Sequence, residues 1–532
     1  METIYMQKWL SFHHYSSPQQ SDFYYLKLCN EIFSKLEDDD FPDEELSLSM
    51  EEKKNLACFI TGYFEDVISG PGLWKAFITQ VYELYGTYLP FFDPDPEKYY
   101  PEEINPEDIH FLLWYYISMV RDNDTIISPT IYEWSERPEE IFEILEREYE
   151  SAPENLKLKQ FLTLSPNEDD YIEINLRMRW IMIDSWLHHF LGKEFDEIAA
   201  DMFSEDEDES LPEEAREVYL YDSIDTFVHT TYTPLLARKG KDWLAYTLGP
   251  DHPLFKPVLD MDEKKSGLYL YMGKEDENLL FQHIATGTEL RITSRSMQLP
   301  ADTEQGKSFS FSGFVKWKGE WWLSGAQLGF GYDADLIRKE KESEESRMLF
   351  GKNPDLIRAE NRQLYKSFLK FNNGNPLAFV ESEEGANRFI HDFLEHHNKS
   401  LNRSARKRRK QLELDEQWML PEHPHDIPDP EESIPGMIYC DPDAGIELVF
   451  GYNSYVPDTG NPWYEGDDDD MNHDHEAMVL LESSHISGKW MHYLVEKYDF
   501  PGLEFPGLSG HELLMYNLDF VMRFWKRKGY HS

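Results

Sequence analysis

The residues best suited to metal chemistry lie in one acidic segment near the end of the chain. This segment contains Asp467 to Asp470, then His473, Asp474, His475 and Glu476. Imidazoles and carboxylates are ligands for zinc, manganese and nickel, and two histidines at i and i+2 share a face when the backbone is extended. An acidic loop before a helix explains the same residues, because carboxylates are favoured at a helix N-terminus. We therefore assign no metal ligands from the sequence.

Three further patterns each lack a residue or an element that their chemistry needs. Residues 301–308 match a loosened phosphate loop, but the alternation in Ser308–Ser312 predicts a strand where a helix must begin. Pro442–Val449 has the carboxylate spacing of some metal-dependent nucleases, with valine in place of the lysine. Ser509 lacks the second glycine of a hydrolase elbow and is better placed to cap a helix. The sequence thus identifies no catalytic and no cofactor-binding residue, and it leaves any cofactor unknown.

A tryptophan-rich hairpin is the first candidate for an interaction surface. It runs from Val315 to Gly325 and holds Trp317, Trp321 and Trp322. Because alternate residues of a strand face opposite ways, Trp321 and Trp322 can both be core only if both faces of the sheet are covered. Either one of them stacks on a partner or ligand, or the helical domain covers the second face.

A basic segment, residues 399–410, is the second candidate. Its cations are Lys399, Arg403, Arg406, Lys407, Arg408, Arg409 and Lys410. Such a composition is typical of nuclear-localisation or nucleic-acid patches. In an acidic chain, pairing with the protein's own carboxylates or a solvated helix face explains it equally well. We keep Arg406, Arg408 and Arg409 as candidate partner contacts.

The overall charge limits the classes of partner. The 532 residues include 102 Asp and Glu against 51 Lys and Arg, a formal net charge of −51. Disorder is nevertheless excluded, because 15% of the residues are aromatic and 14 are tryptophan, which gives apolar area to bury. Local acidity repels nucleic acid and anionic membranes and attracts basic proteins or cations. We expect a protein partner, with a basic one favoured by the acidic surface, and neither generic nucleic-acid binding nor membrane binding.

The cysteines and the N-terminal residues predict a cytoplasmic protein. Cys29, Cys58 and Cys440 lie far apart and form no CxxC pair, so neither a disulfide framework nor a cysteine zinc site is indicated. The first residues lack the apolar core of a signal peptide, and no run approaches the roughly 20 apolar residues of a membrane span.

Helical periodicity and capping signals dominate the first part of the chain. They predict a helical domain over 1–226, in which Ser21 and Asp22 cap one helix and Asn105-Pro106 begins another. A single helix is expected over 171–191. Within it, of the adjacent His188 and His189, one should lie at the edge of the core and the other be exposed.

The remaining sequence alternates between strands and helices. Six short aromatic or β-branched runs between Trp243 and Ser324 predict a small antiparallel β-barrel-like module over 227–335. Residues 336–532 predict a mixed helical and β region, with strands near 437–439 and 446–450. The expected fold class is therefore α+β.

Several stretches together resemble an uncharacterised bacterial family called domain of unknown function 3843. They are IYMQKW (4–9), CFITGYFEDVISG (58–70), INPEDIHFLLWYY (104–116), HIATGTELRITSRSM (283–297), WKGEWWLSG (317–325) and RFWKRKGYH (523–531). The resemblance spans nearly the whole chain, which implies one family-wide architecture in bacterial cytoplasm. It implies no activity, cofactor or site residue.

These observations favour a non-enzymatic, acidic protein- or ligand-binding scaffold. The motivation is that no nucleophile–base pair, phosphate loop or paired metal motif is complete, whereas the aromatic hairpin and the local charge remain. One alternative is a metal-dependent hydrolase or nuclease that uses His473, Asp474 and His475. Another is a decoy that mimics nucleic acid through its surface carboxylates.

Overall fold

The computed structural model describes residues 2–37, 47–92, 94–121, 127–129, 136–202, 213–351, 354–411, 434–464, 476–498 and 511–527. The chain divides into two units, Met1–Leu349 and Phe350–Ser532. The first unit contains a helical region and a five-strand sheet, and the second contains a three-strand sheet with helices. The architecture is mixed α+β, as predicted. Within the described ranges, none of the helices combines the length and the apolar character needed to cross a bilayer.

Helices precede the five-strand sheet in the first unit. They are α1 (Met6–Leu10), α2 (Gln20–Glu37), α3 (Met50–Ser69), α4 (Leu73–Tyr85), α5 (Pro106–Arg121), α6 (Arg137–Tyr149), α7 (Leu156–Leu162), α8 (Tyr171–Arg179), α9 (His189–Met202), α10 (Glu213–Thr230), α11 (Gly240–Leu248) and α12 (Phe255–Leu259). The predicted helix start at Asn105-Pro106 is confirmed, because α5 begins at Pro106. Ser49 and Glu52 bond each other's backbone N–H at the start of α3, which fixes where that helix begins.

The helix predicted over 171–191 is interrupted. A π-helical turn at Trp180–Asp184 and an extended Ser185 separate α8 from α9. The break brings Trp186 against α3 so closely that a Cβ on Gly62 would lie 2.5 Å from the Trp186 Cβ. Tertiary packing has therefore overridden the local helical periodicity, and the π-helical segment is a single turn, the form in which this rare helix mostly occurs.

The prediction that one histidine of the pair after this break is exposed was wrong. His188 is fully buried and packs edge-on against Trp243, with ring centroids 4.4 Å apart. His189 is partly buried between Phe12 and Phe190. Burial lowers the pKa of each histidine to about 3, so both are neutral at physiological pH.

Five strands follow the helices and pair in a ring-like order. They are β1 (Lys265–Glu275), β2 (Asn278–His283), β3 (Glu289–Thr293), β4 (Phe309–Trp317) and β5 (Glu320–Phe330). The order is β1-β2-β3-β5-β4, and β4 also pairs with β1. We predicted a purely antiparallel sheet. The sheet is instead mixed, because β3 and β5 run parallel and pair through Ile292 and Trp321.

The strand predicted at Trp243–Leu248 is wrong, since these residues lie in α11. Asp242 accepts the Lys239 N–H at 2.9 Å in the first turn of this helix. The indole N–H of Trp243 donates to Thr233 Oγ1 at 2.8 Å, which fixes the helix against the preceding loop. A short apolar run is compatible with either a strand or a buried helix, and in this segment the capping hydrogen bond of Asp242 favours the helix.

Residues after the ring-like sheet form two short helices and then the second unit. The two short helices are α13 (Ala334–Glu342) and α14 (Glu344–Met348). The helices of the second unit are α15 (Pro354–Phe371), α16 (Glu383–Ser400), α17 (Arg403–Gln411), α18 (Glu476–Glu482), α19 (Gly488–Lys497) and α20 (His511–Trp525). The strands β6 (Leu377–Val380), β7 (Gly436–Asp441) and β8 (Gly445–Phe450) form an antiparallel sheet in that order. The two strands predicted near 437–439 and 446–450 are confirmed as β7 and β8.

Candidate functional site: a buried histidine and two carboxylates behind an open cleft

His13 lies just beyond α1 and is held from both sides of its ring. Its Nδ1 is 3.1 Å from the Trp9 carbonyl oxygen, and its Nε2 is 2.8 Å from Oε2 of Glu65. Glu65 comes from the buried face of α3, and both side chains are 2% exposed. A carbonyl oxygen can only accept, so Nδ1 carries a hydrogen and Nε2 is the nitrogen that faces the carboxylate.

Asp22 brings a second carboxylate to the same place from the first turn of α2. It is fully buried and accepts the Trp9 indole N–H at 3.0 Å, the Tyr15 hydroxyl at 3.0 Å and the Gln19 N–H at 2.5 Å. One ligand atom each of His13, Asp22 and Glu65 lie within 4.8 Å of one another. We call these three residues the N-terminal cluster.

Asn155 ties the N-terminal cluster to the start of α7. Its side-chain oxygen caps that helix by accepting the Leu158 N–H at 3.1 Å. Its amide nitrogen donates to Oε1 of Glu65 at 2.9 Å and to the Tyr15 hydroxyl oxygen at 2.6 Å. Tyr15 in turn donates to Asp22, so one continuous chain of hydrogen bonds joins the two carboxylates.

The charges of the N-terminal cluster act on His13 in opposite directions. Burial disfavours the protonated ring, but the adjacent Glu65 carboxylate and the more distant Asp22 outweigh burial and raise the pKa of His13. The neighbouring His14 behaves differently. Its ring stacks on Phe161 at 3.9 Å, and burial together with nearby cations lowers its pKa to about 4. Only His13 is therefore part of the site.

An open cleft of about 600 Å³ lies next to the N-terminal cluster. The beginning of α2 and residues 151–157 line it, including Ser21, Tyr24, Asn155 and Lys157. The Lys157 ammonium is 4.5 Å from the Tyr15 ring centroid. Asn155 belongs to both the cleft wall and the hydrogen-bond chain, so a molecule in the cleft is one residue away from the buried carboxylates.

A second buried polar group joins α10 to the ring-like sheet. The Lys264 Nζ lies 3.0 Å from Oδ1 of Asp222 and 2.8 Å from Oδ2 of Asp225. We call these three residues the Lys264 cluster. Gly325 permits it, because a Cβ there would lie 2.3 Å from the Asp222 carboxylate and the backbone φ is +75°.

Ser324, His229 and Asp225 have the residue types of a hydrolase triad in a different arrangement. The Ser324 hydroxyl donates directly to Asp225 at 2.7 Å, whereas a triad carboxylate holds the histidine. Ser324 is 1% exposed, and its oxygen is also 2.7 Å from the Tyr171 hydroxyl. The arrangement is a closed hydrogen-bond network that leaves no room for substrate at Ser324.

The tryptophans predicted to form an interaction surface are mostly buried. Trp317 and Trp322 are each 1% exposed, and Trp321 is partly buried. Trp322 packs against Tyr171 of α8, with ring centroids 6.4 Å apart, and Arg295 lies 4.5 Å from its ring centroid. Helices therefore cover the Trp322 face of the hairpin, and only Trp321 retains intermediate exposure.

The other predicted residues lie far from these clusters in sequence. Arg406 is exposed on α17, which also contains Arg408 and Arg409. The side chains of Arg408 and Arg409 lie outside the described residues, as do His473, Asp474 and His475. The N-terminal cluster and the Lys264 cluster were not predicted, because their members are dispersed along the chain and no local motif marks them.

Comparison with known proteins identifies a family and no activity. A family model described as a protein of unknown function (DUF3843) matches residues 3–278. This range includes both clusters and three of the six stretches that carry the resemblance. No curated protein and no solved structure matches the chain. Since the model covers more than half of the 532 residues, the chain belongs to the DUF3843 family of proteins of unknown function.

Proposed function

We propose that this protein is a non-enzymatic binding scaffold whose cleft between the start of α2 and residues 151–157 receives a segment of a partner protein. The observation that carries the proposal is an exposed apolar side chain in the lining of an open cleft. Leu156 lines the cleft and is 59% exposed. A concave site that combines apolar contact area with a few convergent hydrogen-bonding groups is typical of ligand-binding sites.

The chemistry around Leu156 selects the kind of segment. Tyr24 and Pro153 add apolar area, and Ser21 and Ser151 offer hydroxyl groups for hydrogen bonds. The net charge of −51 disfavours an acidic partner, so a neutral or basic segment with one apolar anchor is the expected occupant. Trp321 and Arg406 remain candidate contacts for the same kind of partner.

The setting is part of the proposal. We infer a bacterial, cytoplasmic protein, and the cysteines support a reducing compartment. All three are free and buried, and the sulfur atoms of Cys29 and Cys58 lie 3.9 Å apart as thiols. We also treat the ring-like sheet as a barrel-like support, because a strand order that returns to its first strand leaves few free edges.

Site-specific photo-crosslinking tests the cleft. A photoreactive phenylalanine derivative replaces Leu156 in the full-length protein, and a second protein carries it in place of Phe23. Phe23 is a matched control, since it is 64% exposed on α2 and does not line the cleft. After irradiation in a native bacterial lysate, mass spectrometry should find one partner protein attached through position 156 and absent at position 23.

A second measurement shows whether the contact contributes to affinity. The purified partner should bind Leu156→Ser at least about tenfold more weakly than Phe23→Ser, because burial of one leucine contributes about 1.5–3 kcal/mol. Equal cross-linking at the two positions, or equal affinity of the two serine variants, would show that the cleft is not the binding site.

A further inference from the structure

The contact between His13 and Glu65 requires a positively charged species between two lone pairs. The His13 Nδ1 donates to the Trp9 carbonyl, which leaves Nε2 facing Oε2 of Glu65 at 2.8 Å. An imidazole nitrogen without hydrogen and a carboxylate oxygen repel each other at this distance. Either a proton, carried by the ring or by the carboxyl group, or a metal cation must lie between them.

The neighbouring residues do not supply enough positive charge. Asp22 is surrounded by neutral donors, namely an indole N–H, a phenol and a backbone N–H. Glu65 receives a neutral amide from Asn155. In the part of the chain that the structure describes, no lysine or arginine forms an ion pair with either carboxylate. A proton between His13 and Glu65 balances one of the two carboxylates, as Lys264 does in its own cluster, whereas a divalent cation would balance both.

From this geometry we propose that His13, Asp22 and Glu65 bind a divalent transition metal, with zinc as the preferred ion. One imidazole and two carboxylates form a ligand set that suits zinc and manganese. The proposal is independent of the partner-binding cleft, since the ligands lie behind its wall.

The spacing of the three side chains agrees with such a site. Ligand atoms around zinc at about 2.0–2.1 Å lie roughly 3.3 Å apart, so the contact of 2.8 Å needs to open by only about half an ångström. The bond from His13 Nδ1 to a backbone carbonyl is the one that metal-ligating histidines usually make, because it directs Nε2 at the metal. Asn155 and Tyr15 likewise orient the two carboxylates through the hydrogen bonds that they donate to them. Three protein ligands leave one position open for water or for an atom of a bound molecule.

Metal analysis of full-length protein without a histidine tag tests the site. We expect one zinc per chain in the wild type. The zinc content per chain should be at least about tenfold lower in His13→Gln and in Glu65→Gln. His283→Gln is the matched control, because His283 is another buried histidine, 3.3 Å from a single carboxylate of Glu340. The double variant His473→Ala, His475→Ala separates this site from the acidic segment near the end of the chain. Both controls should retain the zinc.

A titration of the metal-free wild type gives a result that does not depend on whether a variant folds. Cobalt(II) added to the chelator-treated protein should produce the visible absorption of a low-symmetry, four- or five-coordinate site at one equivalent, and zinc should abolish it. The proposal is overturned if the metal-free protein binds neither ion. It is equally overturned if His13→Gln and Glu65→Gln keep the metal while the His473 and His475 double variant loses it.

Discussion

The N-terminal cluster and the Lys264 cluster each bury two carboxylates in the first unit, and they differ in the cation that accompanies them. Lys264 lies within 3.0 Å of both Asp222 and Asp225, so the chain provides its own positive charge. Among the described residues, the one side chain able to carry a positive charge that bonds to either Asp22 or Glu65 is that of His13. The Lys264 cluster is therefore a structural link between α10 and the sheet that contains its own lysine cation, and the N-terminal cluster is the one to which we assign a cation from outside.

The pKa values follow the same division. At Asp225 burial acts to raise the pKa, but Lys264 and its hydrogen-bond donors outweigh burial and lower it. His229 lies beside Lys264 and has a pKa lowered to about 4, mainly by burial. His13 lies beside two carboxylates and has a raised pKa. The pKa values of these two buried histidines thus move in opposite directions, because burial prevails at His229 whereas the two carboxylates outweigh burial at His13.

The largest effect should come from removing the internal cation. Lys264→Met leaves two buried carboxylates without compensation, and we expect the free energy of unfolding to fall by about 3–5 kcal/mol. Urea denaturation measures it, with Lys265→Met at the next position, the first residue of β1, as the control. A loss below about 1 kcal/mol would show that Asp222 and Asp225 are not held by Lys264, and the contrast between the clusters would then fail.

The dependence of stability on pH should reveal the titration of His229. Because the folded pKa of His229 is about 4 and lies below its unfolded value of 6.5, the unfolded state takes up the proton first. Stability should therefore fall as the pH drops from about 6.5 to 4, by up to about 3 kcal/mol. The groups around this ring are the Tyr171 and Ser324 hydroxyls, Asp225, Lys264 and, farther away, Lys239 and Lys241.

His229→Gln removes this titration, so its stability should change less than that of the wild type between pH 7 and 4. His391→Gln removes a histidine whose side chain is 79% exposed, and its urea-denaturation curves should follow the wild type. Wild type and His229→Gln losing the same free energy over this interval would mean that His229 is not buried as a neutral ring.

Local sequence signals predicted the elements better than their contacts. The start of α5 at Pro106 and the strands β7 and β8 follow from capping residues and short β-branched runs, which act within a few positions. The interruption at Ser185 could not be predicted in this way, because it depends on Trp186 packing against Gly62 of another helix. The parallel pairing of β3 and β5 is also a contact between distant segments.

The two clusters show the same limit for function. Ser21 and Asp22 were interpreted as helix caps, but α2 begins at Gln20, so both lie in its first turn, where Asp22 accepts the Gln19 N–H. The sequence could not show that the same carboxylate also meets Trp9, Tyr15 and a histidine. In the Lys264 cluster, Lys264 and Asp222 are 42 positions apart. A site assembled from dispersed residues has no local motif in the sequence. The acidic segment 467–476, by contrast, was considered as a metal site because of its composition alone.

The smallest of the expected effects tests the donors that stabilise Asp22. Trp9→Phe removes the indole N–H that bonds Oδ1 of Asp22 at 3.0 Å. Trp317→Phe is a matched control, because Trp317 is similarly buried and its indole nitrogen has no hydrogen-bond partner among the described residues. Hydrogen bonds to charged groups contribute about 1.5–3 kcal/mol, so Trp9→Phe should lower the free energy of unfolding by about that much more than Trp317→Phe in metal-free protein. Saturating zinc should narrow the difference, since a metal that binds Asp22 replaces part of what the indole supplies. A difference that zinc leaves unchanged would indicate that Asp22, like Asp222 beside Lys264, is a purely structural carboxylate.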